Sequence, residues 1–509
     1  MPCWPNQADF YALSARLSQP LINVHPIGEV CFEPFFDADA CTVSQQRFND
    51  GLWRTDQPGA GINSNWEAAD GATSSCFGGN ATWAAPRNGT CDQGRVPVIG
   101  VNATTPQDVI EGVKFAAQHN LRVVIKNTGH DFLGRSFAAG SFVIWTHTWK
   151  FFNYTENFTP TGGPASNFPA VTIGPGVQWG ELYEFVDSVN KTIAGGIGAQ
   201  GSVGAAGGWP LGGGHNILSP SLGLGVDNIL QVTVVTPDGQ HLTVNPFRNT
   251  DLFWALRGGG GPSFGVVTSL TYRVHDNLPL YAYFFQATFD PSVFEQVMTS
   301  WHRIVPNITE EGWSGYYPFA NNFIALMYLL RDGDAQRANQ TSLVNFLNEV
   351  QHIDTVQIIT NESKLYPGYF EWFDENIGHP DHVIGFNYTG GATLGNPSQP
   401  ASWLVPEELF VGEQNLAKLS TAFKDFTIGI GQCVFHLHTI VVSLYTHNSP
   451  PSDTSVVVSS PKSQATPSLH TPPGAAASST SPSAPSGLTT RRRRKSRPCA
   501  RTSATRSRH

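Results

Sequence analysis

The run Lys126-Asn127-Thr128-Gly129-His130-Asp131-Phe132-Leu133-Gly134-Arg135-Ser136 sets a reactive imidazole inside backbone suited to holding an anion. Gly129 and Gly134 permit positive φ and close approach of the chain to a ligand. Thr128 and Ser136 bring hydroxyl donors, and Arg135 brings charge matched to a diphosphate. With such a group seated in the loop, His130 faces whatever the diphosphate carries. Lys126, Asn127, Thr128, Gly129, Asp131, Gly134, Arg135 and Ser136 are therefore the candidate cofactor contacts around His130. The competing reading is a structural turn whose histidine is satisfied by a neighbour.

The elements before this loop read as its scaffold. Residues 98–101 form a short strand preceded by Pro97, and Thr105-Pro106-Gln107-Asp108 opens a helix with a capping threonine, proline at the first helical position and an acid in the first turn. Val109, Ile110, Val113, Ala116 and Ala117 make its apolar face. The apolar run 121–126 is a buried strand that ends at the loop, and 141–149 is the next strand. A strand, helix and strand ending in a ligand loop suit an α+β cofactor domain.

Two further glycine-rich blocks follow a strand at 170–174 and a helix over 179–190. The first, 194–215, contains Gly196-x-Gly198-x-x-Gly201, yet it does not read as a nicotinamide-dinucleotide fingerprint, because glycines recur to Gly214 and disfavour the helix such a motif must open. It reads as a long extended loop lying against a cofactor, with a mobile surface loop as the alternative. Its candidate contacts are Gly201, Ser202, Gly207, Gly208, Gly212, Gly213, Gly214 and His215. A hairpin over 228–245, turning at Pro237-Asp238-Gly239, and a short helix capped at Thr250-Asp251 and ending at Arg257 lead to the second block, Gly258 to Val267. That block contributes Gly265 and Val266 and opens a strand ending near Val274.

Three glycine-rich blocks in this order resemble the FAD-linked oxidoreductases of the vanillyl-alcohol oxidase superfamily, in particular the berberine-bridge-enzyme-like branch and its fungal isoamyl-alcohol-oxidase-like members. The family's covalent-flavin loop is typically Arg-x-Gly-Gly-His. Here Lys126-Asn127-Thr128-Gly129-His130 keeps the Gly-His pair and departs at the first and third positions. The resemblance implies a two-lobed α+β protein with an FAD-binding domain over 95–275 and a substrate lobe, a sheet covered by helices, over 276–447. It also implies FAD joined to His130 at the flavin 8α carbon, hydride removal from an alcohol or related donor, and dioxygen as the electron acceptor. A role as a tailoring oxidase in secondary metabolism fits the fungal relatives. Bicovalent members also use a cysteine in the block 194–215, but no cysteine lies between Asp92 and Gln432, which excludes that second link. The substrate, the catalytic base and the oligomeric state stay open, and Tyr316, Tyr317, Tyr328, Tyr366 and Tyr388 stand as unranked acid–base candidates.

Composition narrows the setting. Charged residues are 14% of the chain, with 51 Gly and 36 Pro, which favours a turn-rich protein. Ten of the 30 basic residues but one of the 39 acids fall from Asn448 onward, so the body holds 20 basic and 38 acidic residues, net −18, and does not invite nucleic acid. No apolar run reaches the length of a membrane span. Ten Asn-x-Ser/Thr sequons and a cluster of Cys3, Cys31, Cys41, Cys76 and Cys91 in the irregular segment 1–94 point to a secretory route and an oxidising compartment. The opening Met-Pro-Cys-Trp-Pro has no signal-peptide pattern, and the expectation is a clipped N-terminus. The low-complexity stretch 448–509 reads as a disordered basic tail. The family's C-terminal Asn-Tyr has no counterpart, so an altered reading frame near 430–455 is expected. The resulting alternative is a secreted, glycosylated flavin-fold protein without turnover.

Overall fold

The computed structural model describes residues 4–63, 66–68, 91–164, 168–261, 263–378 and 405–430, together with the short parallel pair Leu444–Tyr445 and Val458–Ser459. Cys3, Cys76, Tyr388, three of the sequons and most of the basic tail lie outside these residues.

The first sheet runs in the order Leu21–Asn23, Ile99–Asn102, Phe142–Trp145, Val123–Lys126, the last three parallel and the first antiparallel at the edge. Phe142–Trp145 is flanked by strands on both sides and every residue in it is buried, as its unbroken apolar sequence requires. The helix Pro106–Gln118 begins as expected. Thr105 Oγ1 accepts from the Asp108 amide at 3.2 Å and the Asp108 carboxylate accepts from the Thr105 amide at 2.9 Å, a reciprocal cap. Because Leu21–Asn23 pairs with Ile99–Val101, this sheet crosses the boundary at 94/95 drawn from composition. Cys31 is bonded to Cys41 in the same N-terminal segment.

The second sheet is antiparallel, in the order Phe152–Phe158, Phe168–Ile173, Val266–Arg273, Ile229–Val235, His241–Val244. Its hairpin agrees with the turn read at Pro237-Asp238-Gly239. Phe152–Phe158 was not expected as a strand. It is an edge strand whose Asn153, Glu156 and Asn157 are exposed, so it lacks an apolar run. The short helix begins at Thr250 with Asn249 at its cap, in the left-handed region at φ 51°, so Thr250 and Asp251 lie inside the helix.

A third antiparallel sheet orders Trp313–Tyr316, Phe323–Arg331, Leu280–Thr288 and Gln357–Tyr366, with Phe319–Ala320 folded back on Phe323–Ile324. Tyr283, Phe285 and Ala287 pack under the helices Phe294–Glu310 and Leu343–Val350. The alternate residues Leu280, Ala282 and Phe284 enter the core that holds Trp179, Tyr183 and Tyr272. The two lobes therefore meet through the strands Leu280–Thr288 and Phe323–Arg331, which are buried on both faces, while the edge strand Gln357–Tyr366 is largely exposed. Residues 315–330 fold as a hairpin, and 335–350 hold two helices, Ala335–Ala338 and Leu343–Val350. In the described residues no helix is long and apolar enough to cross a membrane.

Candidate active site

The loop after Val123–Lys126 is held from behind by the N-terminal segment. The Ile62 amide donates to the Gly129 carbonyl at 3.0 Å, and Gly129 itself has φ 92°, a conformation that favours glycine. Beneath it lies a buried charge layer. Arg54 donates to the Gly61 carbonyl at 2.7 Å, to the Phe48 carbonyl at 3.0 Å and to the Glu67 carboxylate, which also accepts from the Gly61 amide at 2.7 Å. Lys126 is fully buried and donates to the Gln57 carbonyl at 3.0 Å. Burial pushes its ammonium down to about 7 against the pull of Glu67.

In front of the loop is a cleft of about 500 Å³. Asn127, Thr128, Gly129, His130, Asp131, Arg135 and Ser136 line it from the first loop, Gly207, Gly208 and His215 from the second, and Gly265 and Val266 from the third. The remaining candidates stand elsewhere. Lys126 lies behind the loop, its Cε within 3.2 Å of where a Gly129 Cβ would stand. Gly134 packs on the Trp66 indole, and Gly201 lets the second loop touch the Gly180 backbone. Gly212, Gly213 and Gly214 end a one-turn helix, Gly208–Leu211, inside the run read as wholly extended. Ser202 is off the cleft wall but 2.9 Å from His130 Nε2.

Charge at the site differs from the sequence reading. Arg135 is engaged by Asp131, with Nε at 3.0 Å and a terminal nitrogen at 2.5 Å from Oδ1, so its guanidinium is largely neutralised. With that arginine engaged, an anion in the cleft would have to draw more on backbone amides. His130 is driven down to about 3, first by burial and then by the nearby Lys126, and is neutral at ordinary pH. Ser202 occupies Nε2. In the tautomer where Nε2–H donates to Ser202 Oγ, the Nδ1 lone pair is left for chemistry. Asn127 is fixed by donating to the Pro175 carbonyl at 2.7 Å, with its Oδ1 3.3 Å from His147 Nδ1. Asp56 stands 2.9 Å from the other nitrogen of that ring.

The cleft also holds one residue that the sequence did not single out, Asn63, and one of the candidate tyrosines, Tyr316. Asn63 lines the cleft with a buried Nδ2 that has no partner among the described residues. Tyr316 reaches the same cleft from the third sheet, 3.1 Å from His215 Nδ1.

A family model described as an FAD binding domain matches residues 97–245. An FAD-linked oxidoreductase of Arthroderma benhamiae, itself uncharacterized, is 41% identical over 62% of this chain and 53% of its own length. The FAD-linked oxidoreductase penH of Penicillium thymicola is 36% identical over 72% of this chain and 62% of its own length, so the chain spans between half and two thirds of these relatives. The VAO-type flavoprotein MtVAO615 of Myceliophthora thermophila C1 superposes with a TM-score of 0.72 and 28% identity, over 84% of this chain and 74% of that one. The fold is that of the vanillyl-alcohol-oxidase-type flavoproteins. By sequence the chain is similar to fungal FAD-linked oxidoreductases, and its cofactor is FAD.

The residues present fit that cofactor. A Cβ added at Gly208 would meet no atom of the described residues within 4 Å, which marks backbone open to a ligand, and the Asn63 amide, unpartnered among those residues, supplies a donor in the same wall.

Proposed function

We propose that the protein is an FAD-dependent oxidoreductase that oxidises an alcohol or a related C–H donor, with dioxygen as the final electron acceptor and FAD held covalently through His130. Bound FAD supplies the hydride acceptor and, after reduction, returns the electrons to dioxygen with formation of hydrogen peroxide. The observation that supports this most is a neutral His130, oriented by Ser202, in a cleft shared by all three glycine-rich blocks. Asn127, Thr128 and Ser136 would hold the cofactor beside it, with Gly207, Gly208 and Gly265 allowing close backbone approach. Phe132 and Leu133, 54% and 67% exposed, form with Trp209 and Ile197 an apolar part of the cleft wall, which suits an apolar small-molecule donor. Secretion with N-glycosylation is supported by the exposed sequon residues Asn153, Asn157, Asn190, Asn307, Asn339 and Asn361, and by the Cys31–Cys41 disulfide.

The test is His130→Ala. The wild-type protein keeps its yellow colour through acid precipitation, and the variant releases FAD to the supernatant. Flavin that still resists extraction from the variant would refute attachment at His130. Peroxide release on alcohols checks turnover separately.

A further inference from the structure

We propose that Tyr316, backed by His215, is the acid–base group that removes the donor's hydroxyl proton. This assignment rests on the reading of the cleft as an FAD-dependent oxidising site.

The tyrosines of the substrate lobe are separated by where their hydroxyls lie. Tyr317 and Tyr328 are buried in the core under the helices, where Tyr317 packs on Trp301. Tyr366 Oη is 3.2 Å from Glu375 and 3.1 Å from Asn376 Nδ2, and Tyr388 falls outside the described residues. Among the described tyrosines of this set, Tyr316 alone lines the cleft that His130 lines. Alternation along the chain puts Tyr316 and Tyr317 into different cores.

Its partner comes from the other lobe. His215 ends the second glycine-rich block, lines the same cleft, and stands with Nδ1 3.1 Å from Tyr316 Oη and the rings edge to face at 72°. Burial holds His215 neutral, its imidazole lowered to about 4, so Nδ1 can accept a proton at neutral pH. With Oη–H donating to Nδ1, the donor's O–H proton passes to Tyr316 Oη as the phenolic proton passes to Nδ1. The C–H hydrogen would leave with both bonding electrons to the hydride acceptor FAD, the carbon becoming a carbonyl, and the proton taken up by His215 passes on to water, since a ring lowered to about 4 does not keep it at neutral pH. Atoms and charge balance with no further reactant than solvent water.

The experiment uses the flavin-loaded full chain with benzyl alcohol, cinnamyl alcohol and 1-hexanol as donors, followed anaerobically by bleaching of the flavin. Tyr316→Phe is expected to keep its flavin and its donor affinity while reduction at saturating donor slows by about 100-fold, and His215→Gln by about 10-fold or more. A second readout needs no turnover. In 15N-histidine-labelled protein the His215 Nδ1 resonance should shift in Tyr316→Phe, because its hydrogen-bond partner is gone. If the wild type is reduced and Tyr316→Phe keeps the wild-type rate, the assignment falls and the oxidising reading stands. An unmoved His215 resonance removes the pair and overturns the assignment as well. If the wild type holds FAD but no donor bleaches it, the oxidising reading falls and takes this proposal with it.

Discussion

Replacing Lys126 with methionine should stabilise the protein, against the usual expectation for a buried residue. The Lys126 ammonium is fully buried behind the flavin loop, and burial lowers it from 10.5 to about 7 despite the nearby Glu67. At about 1.4 kcal/mol per unit, the charged form costs the folded state about 5 kcal/mol below neutral pH. Methionine removes that cost but strands the Gln57 carbonyl, a loss of about 2 kcal/mol, which leaves a net gain of about 3 kcal/mol near pH 6. The sign follows from proton counts. Between about 7 and 10.5 the unfolded chain holds the lysine proton and the folded chain does not, so wild-type stability from this group rises with pH across that window. Urea unfolding of both proteins at several pH values measures the difference, and groups common to both cancel. The variant's advantage should shrink by about 3 kcal/mol between roughly pH 7.5 and 9.5. A variant that is less stable near neutral pH, or an advantage that does not change with pH, would refute the electrostatic account of this layer.

Arg54→Met should cost about 3 to 5 kcal/mol in the same urea assay, because Glu67 is left buried with the Gly61 amide as its remaining close donor. Arg54→Met combined with Glu67→Leu should recover most of that loss, and a double variant no more stable than the single one would show that packing dominates over charge. Gly208→Ala should fold normally, since a Cβ there meets no atom of the described residues, yet FAD should bind at least about 10-fold more weakly, as read by fluorescence titration of flavin-free protein.

How much of this site could be read in advance depended on how local each feature is. The turn after 123–126 was legible because Gly129 and Gly134 both take positive φ within one short stretch, and the cap at Thr105 and Asp108 needs only four consecutive residues. The alternation of Leu280–Thr288 between two cores appears only once the chain is folded. What stayed hidden is long-range pairing. His130 meets Ser202 across 72 residues, His215 meets Tyr316 across 101, and Lys126 reaches a carbonyl 69 residues away. Polar residues at such separations look like ordinary loop or core residues until the chain is folded. The glycine run misled in the opposite way: glycine density argued against any helix, yet Trp209, Pro210 and Leu211 supply enough buried surface for one turn.

The two cleft histidines show how one kind of environment can serve two tasks. Both are driven by burial into the neutral form at physiological pH, His130 to about 3 and His215 to about 4. Their partners set what each ring can do. Ser202 stands at Nε2 of His130, which would leave Nδ1 for the proposed bond to the flavin, whereas Nδ1 of His215 is turned to a phenol and could only exchange a proton with it. The extra depression of His130 comes from Lys126, and His215 has no such cation among the causes of its shift. On acidification, therefore, His215 loses its capacity to accept a proton first. Its loss through about pH 4 should silence donor oxidation while the His130 ring remains uncharged and the cofactor stays in place.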